Sequence, residues 1–359
     1  MPLCHDRRTA TPAGRLCRQR AALYKNNERN AMPASAPTVF YHADDYGITA
    51  AQARAILDLS AACGGAGALN SVSIFANSPA FDEAAALARP FVEQGKLKLG
   101  LHLNLVEGWP VSRPDDAASL LNDRATFGLD FLGLLRKSHG PHHAELRVAL
   151  VNECRAQIAR FLEAFPEMHD HLRLDSHQHT HAIPLVFEAL SIALVEEGCT
   201  VEHLRAPIEP LSPHRAAVAL RRQDPHLTCP KSGNQAHGTA PEERPRITAA
   251  NRAKVALLDY LWKRCDHRLI KVAEPAPVFC GVALSAHMGQ MDPALVRAFS
   301  DEAAARGRDL EILFHPITVP AGECLDPDSH AFTAACASPE RDEEARALVA
   351  LGAEEQSAR

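Results

Sequence analysis

Leu172-Arg173-Leu174-Asp175-Ser176-His177-Gln178-His179-Thr180-His181 opens as the apolar alternation of a buried strand end and then sets one carboxylate and three imidazoles on alternate residues. If the backbone stays extended through His181, all four side chains face the same way. Extended residues two apart are about 6 to 7 Å apart at Cα, so neighbours can share one ion, whereas the whole row spans about 20 Å. At most two of Asp175, His177, His179 and His181 are then direct metal ligands.

The same arrangement, an apolar run ending in a chemically active residue, recurs along the chain. Val39 to Ala43 leads into Asp44-Asp45, Lys96 to Leu103 contains His102, and Val201 to Leu204 leads into Arg205. Val278 to Ser285 and Leu310 to Phe314 lead into His287 and His315, and Asn70 to Ala76 is a further strand. Helical patterns over 49–63, 79–94, 144–165, 184–197, 249–265, 293–305 and 340–351 separate these runs. About seven strand-helix units without paired tight hairpins predict a parallel sheet. Polar residues at nearly every strand end favour a (βα) barrel, whole or incomplete and distorted, because a doubly wound sheet usually works at one crevice.

A length of 359 residues suits one large α/β domain, expected over 37–359 with insertions near 107–143 and 207–248. Residues 1–36 form a basic, disordered-looking extension, and Met32, followed by Pro33-Ala34-Ser35-Ala36-Pro37, is the expected start of translation. A net charge of −6 offers no basic face for nucleic acid, and no run of 18 apolar residues predicts a membrane span. The ten cysteines include no C-x-x-C pair, which argues against a disulfide scaffold or a thiolate zinc finger and for reducing cytoplasm.

Asp44-Asp45-Tyr46-Gly47 directly follows a buried strand, so its carboxylates are expected to leave the sheet on different sides and to do different work, one on a metal and one on protons. His102 lies in an otherwise apolar strand, where an imidazole needs a partner or a metal. With an aspartate and His177 it makes the two-histidine, one-carboxylate set of hydrolytic metal sites. Zinc suits such a set best, with magnesium accepted by a more hydrated version.

Ala43-Asp44-Asp45-Tyr46-Gly47, Gly100-Leu101-His102-Leu103 with Gly108 and Pro110, Leu174 to His179, and Glu311 to Pro316 resemble, in order, the motifs of the YdjC-like carbohydrate deacetylases. The resemblance implies a barrel-like fold, one divalent metal ion (Mg or Zn), and hydrolysis of an N-acetyl group from an acetylated amino sugar. Carried over by motif, Asp45, His102 and His177 hold the metal, Asp44 is the general base, and His315 is the acid or oxyanion partner. Tyr46 stands where the family usually has Phe, and Val106 where Thr is common.

His287 is a second candidate for the acid or for substrate contact. Arg205 is expected to pair with Asp44 or Asp175 or to touch substrate. His179 is expected near the ligands or along the groove, Asp175 to steer a ligand imidazole, and Trp109 to stack on a sugar or pack on the rim. The expected partner is the acetylated amino sugar, with a homodimer as the assembly to test. Two rival readings are another metal-dependent amidohydrolase or phosphoesterase on a similar barrel, and a barrel that binds sugar without turnover.

Overall fold

The structure is a computed structural model that describes residues 36–227, 247–326 and 329–357. The expected extension over 1–31 and the start at Met32 lie outside the described residues, as does much of the 207–248 insertion.

Among the described residues seven strands form one sheet: Val39–Tyr46 (β1), Ser71–Ile74 (β2), Lys98–Leu103 (β3), Leu172–Ser176 (β4), Val201–Leu204 (β5), Val278–Cys280 (β6) and Leu310–Phe314 (β7). Every pairing is parallel, in the order β5-β4-β3-β2-β1-β7-β6. The near-continuous apolar runs fit that pattern, since parallel strands are covered on both faces. In a flat sheet β5 and β7 would stand about 24 Å apart, five spacings of about 4.8 Å. Yet His203 on β5 donates to Glu311 on β7 at 3.0 Å. The sheet is therefore curled into a half-barrel, and among the described residues no ladder joins its edges, β5 and β6.

The helices are Ala50–Leu57 (α1), Phe81–Glu93 (α2), Phe131–Ser138 (α3), His143–Ala164 (α4), Pro184–Glu196 (α5), Ser212–Gln223 (α6), Ala249–Trp262 (α7), Pro293–Arg306 (α8), His330–Cys336 (α9) and Glu340–Ser357 (α10). Side-chain oxygens of Thr49, Asp130, Thr248, Asp292 and Ser329 cap five of them. No described helix is long and apolar enough to cross a membrane.

Three expectations change. The helix expected over 49–63 ends at Leu57 and gives way to a short 3₁₀ turn, Ala61–Cys63. The strand expected over 278–285 stops at Cys280, because the Glu209 carboxylate accepts the backbone N–H of Gly281 at 3.1 Å and of Ala283 at 2.8 Å. The polar insertion after residue 207 contains α6, which buries Pro213 and Ala217.

Candidate active site

The turn after β1 sets the site. Asp45 has φ 59, a left-handed backbone, and the pairing of β1 with β2 slips between Ala43 and Tyr46. Gln52 of α1 holds this shape by donating to the Asp45 carbonyl at 2.8 Å and accepting from Gly47 N and Ile48 N. Strict alternation is thus broken, and the two carboxylates do not leave on opposite sides as expected. One imidazole, His102, lies near both: its Nδ1 is 4.0 Å from Asp44 Oδ1 and its Nε2 is 3.5 Å from Asp45 Oδ1. Tyr46 is fully buried and donates its hydroxyl to the Ala84 carbonyl at 2.9 Å.

The row after β4 is not extended either. The strand ends at Ser176, and a 3₁₀ segment, His177–Ala182, follows with Gln178 at φ 53 and His179 at φ 57. His181 turns away, bonded to Ser176 Oγ and donating to the Arg205 carbonyl at 2.9 Å. His177 Nδ1 comes to 3.1 Å from Asp45 Oδ1. Phe75 packs edge-on against both His102 and His177, and Phe332 of α9 packs against His177.

Asp45, His102 and His177 therefore converge, all buried, with one ligand atom from each within 4.8 Å of the others. Asp45 Oδ1 and His102 Nε2 make no well-aligned hydrogen bond, their polar neighbours being one another at 3.5 Å and, for Asp45 Oδ1, His177 Nδ1 at 3.1 Å. A buried polar atom left bare costs about 1–3 kcal/mol, so two such atoms aimed at one point fit a shared cation. The other atoms of these residues are occupied. His102 Nδ1 donates to Asp175 Oδ1 at 2.5 Å, and Arg341 donates to Asp45 Oδ2 at 2.5 Å.

Beside this cluster lies a buried network around Arg205. Its guanidinium donates twice to Asp44 at 2.8 Å, lies 3.0 Å from Asp175 Oδ2, and donates to Glu311 at 2.5 Å. A surface ion pair for Arg205 is thereby excluded. His42 Nε2 is 3.1 Å from Asp44 and 3.3 Å from Asp175. His42, Asp44 and Asp175 also have metal-ligand spacing, but Arg205 already places its charge between the two acids.

Burial pushes the Asp44 carboxyl up, and Arg205 outweighs it, so Asp44 sits far below the usual carboxylate range. Burial likewise raises Asp45, and His177 and Arg341 reverse it. Burial depresses His102, but Asp44 and Asp175 carry it up to about 10. Four buried carboxylates (Asp44, Asp45, Asp175, Glu311) face two buried guanidiniums (Arg205, Arg341). The shortfall of two positive charges is what protons on His42 and His102, both raised, or one divalent cation would supply.

The remaining candidates are less central. His315, just after β7, is part-buried, and burial holds its pKa down to about 4, so it is neutral near pH 7. His179 is also held neutral by burial and Arg205, and its Nδ1 lacks a partner. His287 makes no side-chain hydrogen bond or ion pair to the cluster among the described residues, and Trp109 is 46% exposed at a loop. Sequence reasoning missed His42, Glu311 and Arg341. Glu311, a lone acid in the apolar run Leu310 to Phe314, carried a signal; Arg341, in the charged start of α10, carried none.

A family model described as YdjC-like protein matches residues 38–355. Carbohydrate deacetylases of Danio rerio and Homo sapiens are each 33% identical to the chain, over 180 and 167 residues, covering 50% and 46% of it. The chain spans about half the length of these curated relatives, 52% and 47%. A crystal structure from Enterococcus faecalis V583, of a protein proposed to cleave cellobiose phosphate, superposes with a TM-score of 0.51 at 18% identity, covering 89% of this chain and 94% of that one. That likeness supports the half-barrel.

Proposed function

The chain belongs to the YdjC-like family, and from that premise we propose that it is a hydrolase removing an N-acetyl group from an acetylated amino sugar, with one divalent ion held by Asp45, His102 and His177. The observation that carries the reading is the convergence of two buried, unpartnered ligand atoms, Asp45 Oδ1 and His102 Nε2, beside His177. Bound there, zinc or magnesium supplies an acidified water and a Lewis acid for the acetyl carbonyl.

The protein's own groups supply the rest. Asp175 accepts a hydrogen bond from His102 Nδ1–H, which fixes the tautomer in which Nε2, facing Asp45, would give its lone pair to an ion that displaces the second ring proton. Arg341 holds one Asp45 oxygen and leaves the other bare. Amide hydrolysis needs a proton taken from the attacking water and one delivered to the leaving amine. Asp44 takes the water's proton: Arg205 keeps it ionised and fixes its orientation, and the low proton affinity that results favours passing the proton onward. His315, neutral near pH 7, serves the leaving amine by relaying to its nitrogen the proton that Asp44 took from the water. Trp109, exposed, is a candidate platform for a sugar face.

A phosphoesterase usually gathers a second ion, and among the described residues the acidic pocket next to this cluster, Asp44 and Asp175, is filled by Arg205. Asp44→Asn separates catalysis from binding. It is expected to retain metal and N-acetylglucosamine oligomers, measured by elemental analysis and calorimetry, while acetate release falls at least about a thousandfold. Turnover surviving in Asp44→Asn would remove Asp44 from its role.

A further inference from the structure

The half-barrel has a seam. β5 and β6 are its edges, and among the described residues backbone covers part of that gap: Val201 of β5 bridges to Val272, with Ala273 N and Glu274 N donating to the carbonyls of Val201 and Glu202. At the other end of the seam, past the last residue of β5, three buried side chains of different chemistry meet. Glu209 lies in the segment after β5, His214 in the first turn of α6, and Cys280 is the last residue of β6. His214 Nε2 donates to Glu209 Oε1 at 2.8 Å, while Glu209 Oε2 accepts from Gly281 N and Ala283 N just past β6. One ligand atom from each of Glu209, His214 and Cys280 lies within 4.8 Å of the other two.

We propose that Glu209, His214 and Cys280 form a second metal site, separate from the candidate active site, that takes a zinc-class divalent ion and clips the open edge of the half-barrel. The donor set supports the metal class. A thiolate, an imidazole and a carboxylate together suit zinc, whereas magnesium and calcium avoid sulfur. Around one ion with bonds of about 2.0 to 2.3 Å the donors stand roughly 3 to 4 Å apart, so the His214–Glu209 pair at 2.8 Å would open slightly and no pair, all lying within 4.8 Å, would have far to close.

Charge supports it too. Among the described residues Glu209 has no arginine or lysine in ion-pair contact, only His214. A divalent ion with the Glu209 carboxylate and the Cys280 thiolate is neutral overall, the balance a buried site favours. Binding exchanges the thiol proton for the metal, with the proton released to solvent and no change of oxidation state. Position supports it as well: the ion would join one residue after β5, one on α6 and one ending β6, at the place where the sheet has no ladder.

The test uses sulfur as a label, because Asp45, His102 and His177 contain none. Chelator-treated full-length protein is titrated with Co²⁺ and its near-ultraviolet thiolate-to-cobalt absorption followed. One equivalent with a sulfur band is expected in the wild type and in His102→Ala, and the band is expected to vanish in Cys280→Ser and in Cys280→Ala. His214→Gln, which keeps a donor for Glu209, should weaken cobalt binding at this site by about tenfold or more. Absence of a sulfur band in the wild type would overturn the proposal whatever the variants do. A band undiminished in a folded Cys280 variant would overturn it as well, by moving the sulfur to another cysteine.

Discussion

Asp45 shows how much a single residue decides here. Its left-handed backbone aims one oxygen at His102 and His177, and Arg341 ties down the other. His102→Ala and His177→Ala should each lose the equivalent of metal that shows no sulfur band while keeping any held at Cys280, and a variant with wild-type stoichiometry would remove that residue from the ligand set. Asp175→Asn, which reaches the metal ligands through its bond to His102, should lower metal affinity by about 10 to 100-fold. Arg205→Ala strips the shared partner from Asp44, Asp175 and Glu311, and leaving buried charge unpaired costs about 3–5 kcal/mol, measured as a lower denaturant midpoint. At this scale the sequence pointed to His102 and Asp44-Asp45, polar residues within or just after an apolar run, while His42 and Glu311 interrupt such runs too and were passed over. It was silent at Arg341, whose neighbours are ordinary helix-surface charges and whose role arises only from tertiary docking.

Two elements carry behaviour that periodicity could not reveal. The alternation from Asp175 to His181 suggested a continued strand, but alternation reports which residues would share a face only while the backbone stays extended. Here it bends through two left-handed residues, so His177 alone of the three histidines joins Asp45 and His102. A left-handed non-glycine costs about 1–2 kcal/mol, and Gln178 is exposed, so Gln178→Gly should raise the melting temperature by a few degrees. Gln178→Val should lower it by a similar amount, and equal effects would deny the strain. In α10, burial pushes Glu344 from 4.5 up to about 7, against the opposing pull of the His315 N–H and Arg341. The folded state thus holds a proton that the unfolded chain has lost. Stability from this group is whole below about pH 4.5 and declines as pH rises to about 7. Glu344→Gln, permanently neutral, should therefore stabilise the protein at pH 8 by something on the order of 3 kcal/mol and have little effect near pH 4.5. The same shift in melting temperature at both pH values would contradict this.

For the whole molecule, the strand count, the parallel sheet and the gathering of functional residues at strand ends were legible, because each rests on short-range pattern. The seam was not, since nothing in an apolar run says which strands lie at an edge, and the Arg205 network spans β1, β4, β5 and β7. That curl is what brings residues far apart in sequence, Asp45, His102 and His177, onto one point, and hydrolysis at that point is the central claim. The most direct measurement is parallel quantification of acetate and free amine from N-acetylglucosamine oligomers, with protein as purified, after chelation, and after reloading with Zn²⁺ or Mg²⁺. Equal release of both products, abolished by chelation, restored by metal and absent in His102→Ala, is the expected result. A metal-loaded wild type that binds the sugars tightly yet releases no acetate from any of them would contradict the account.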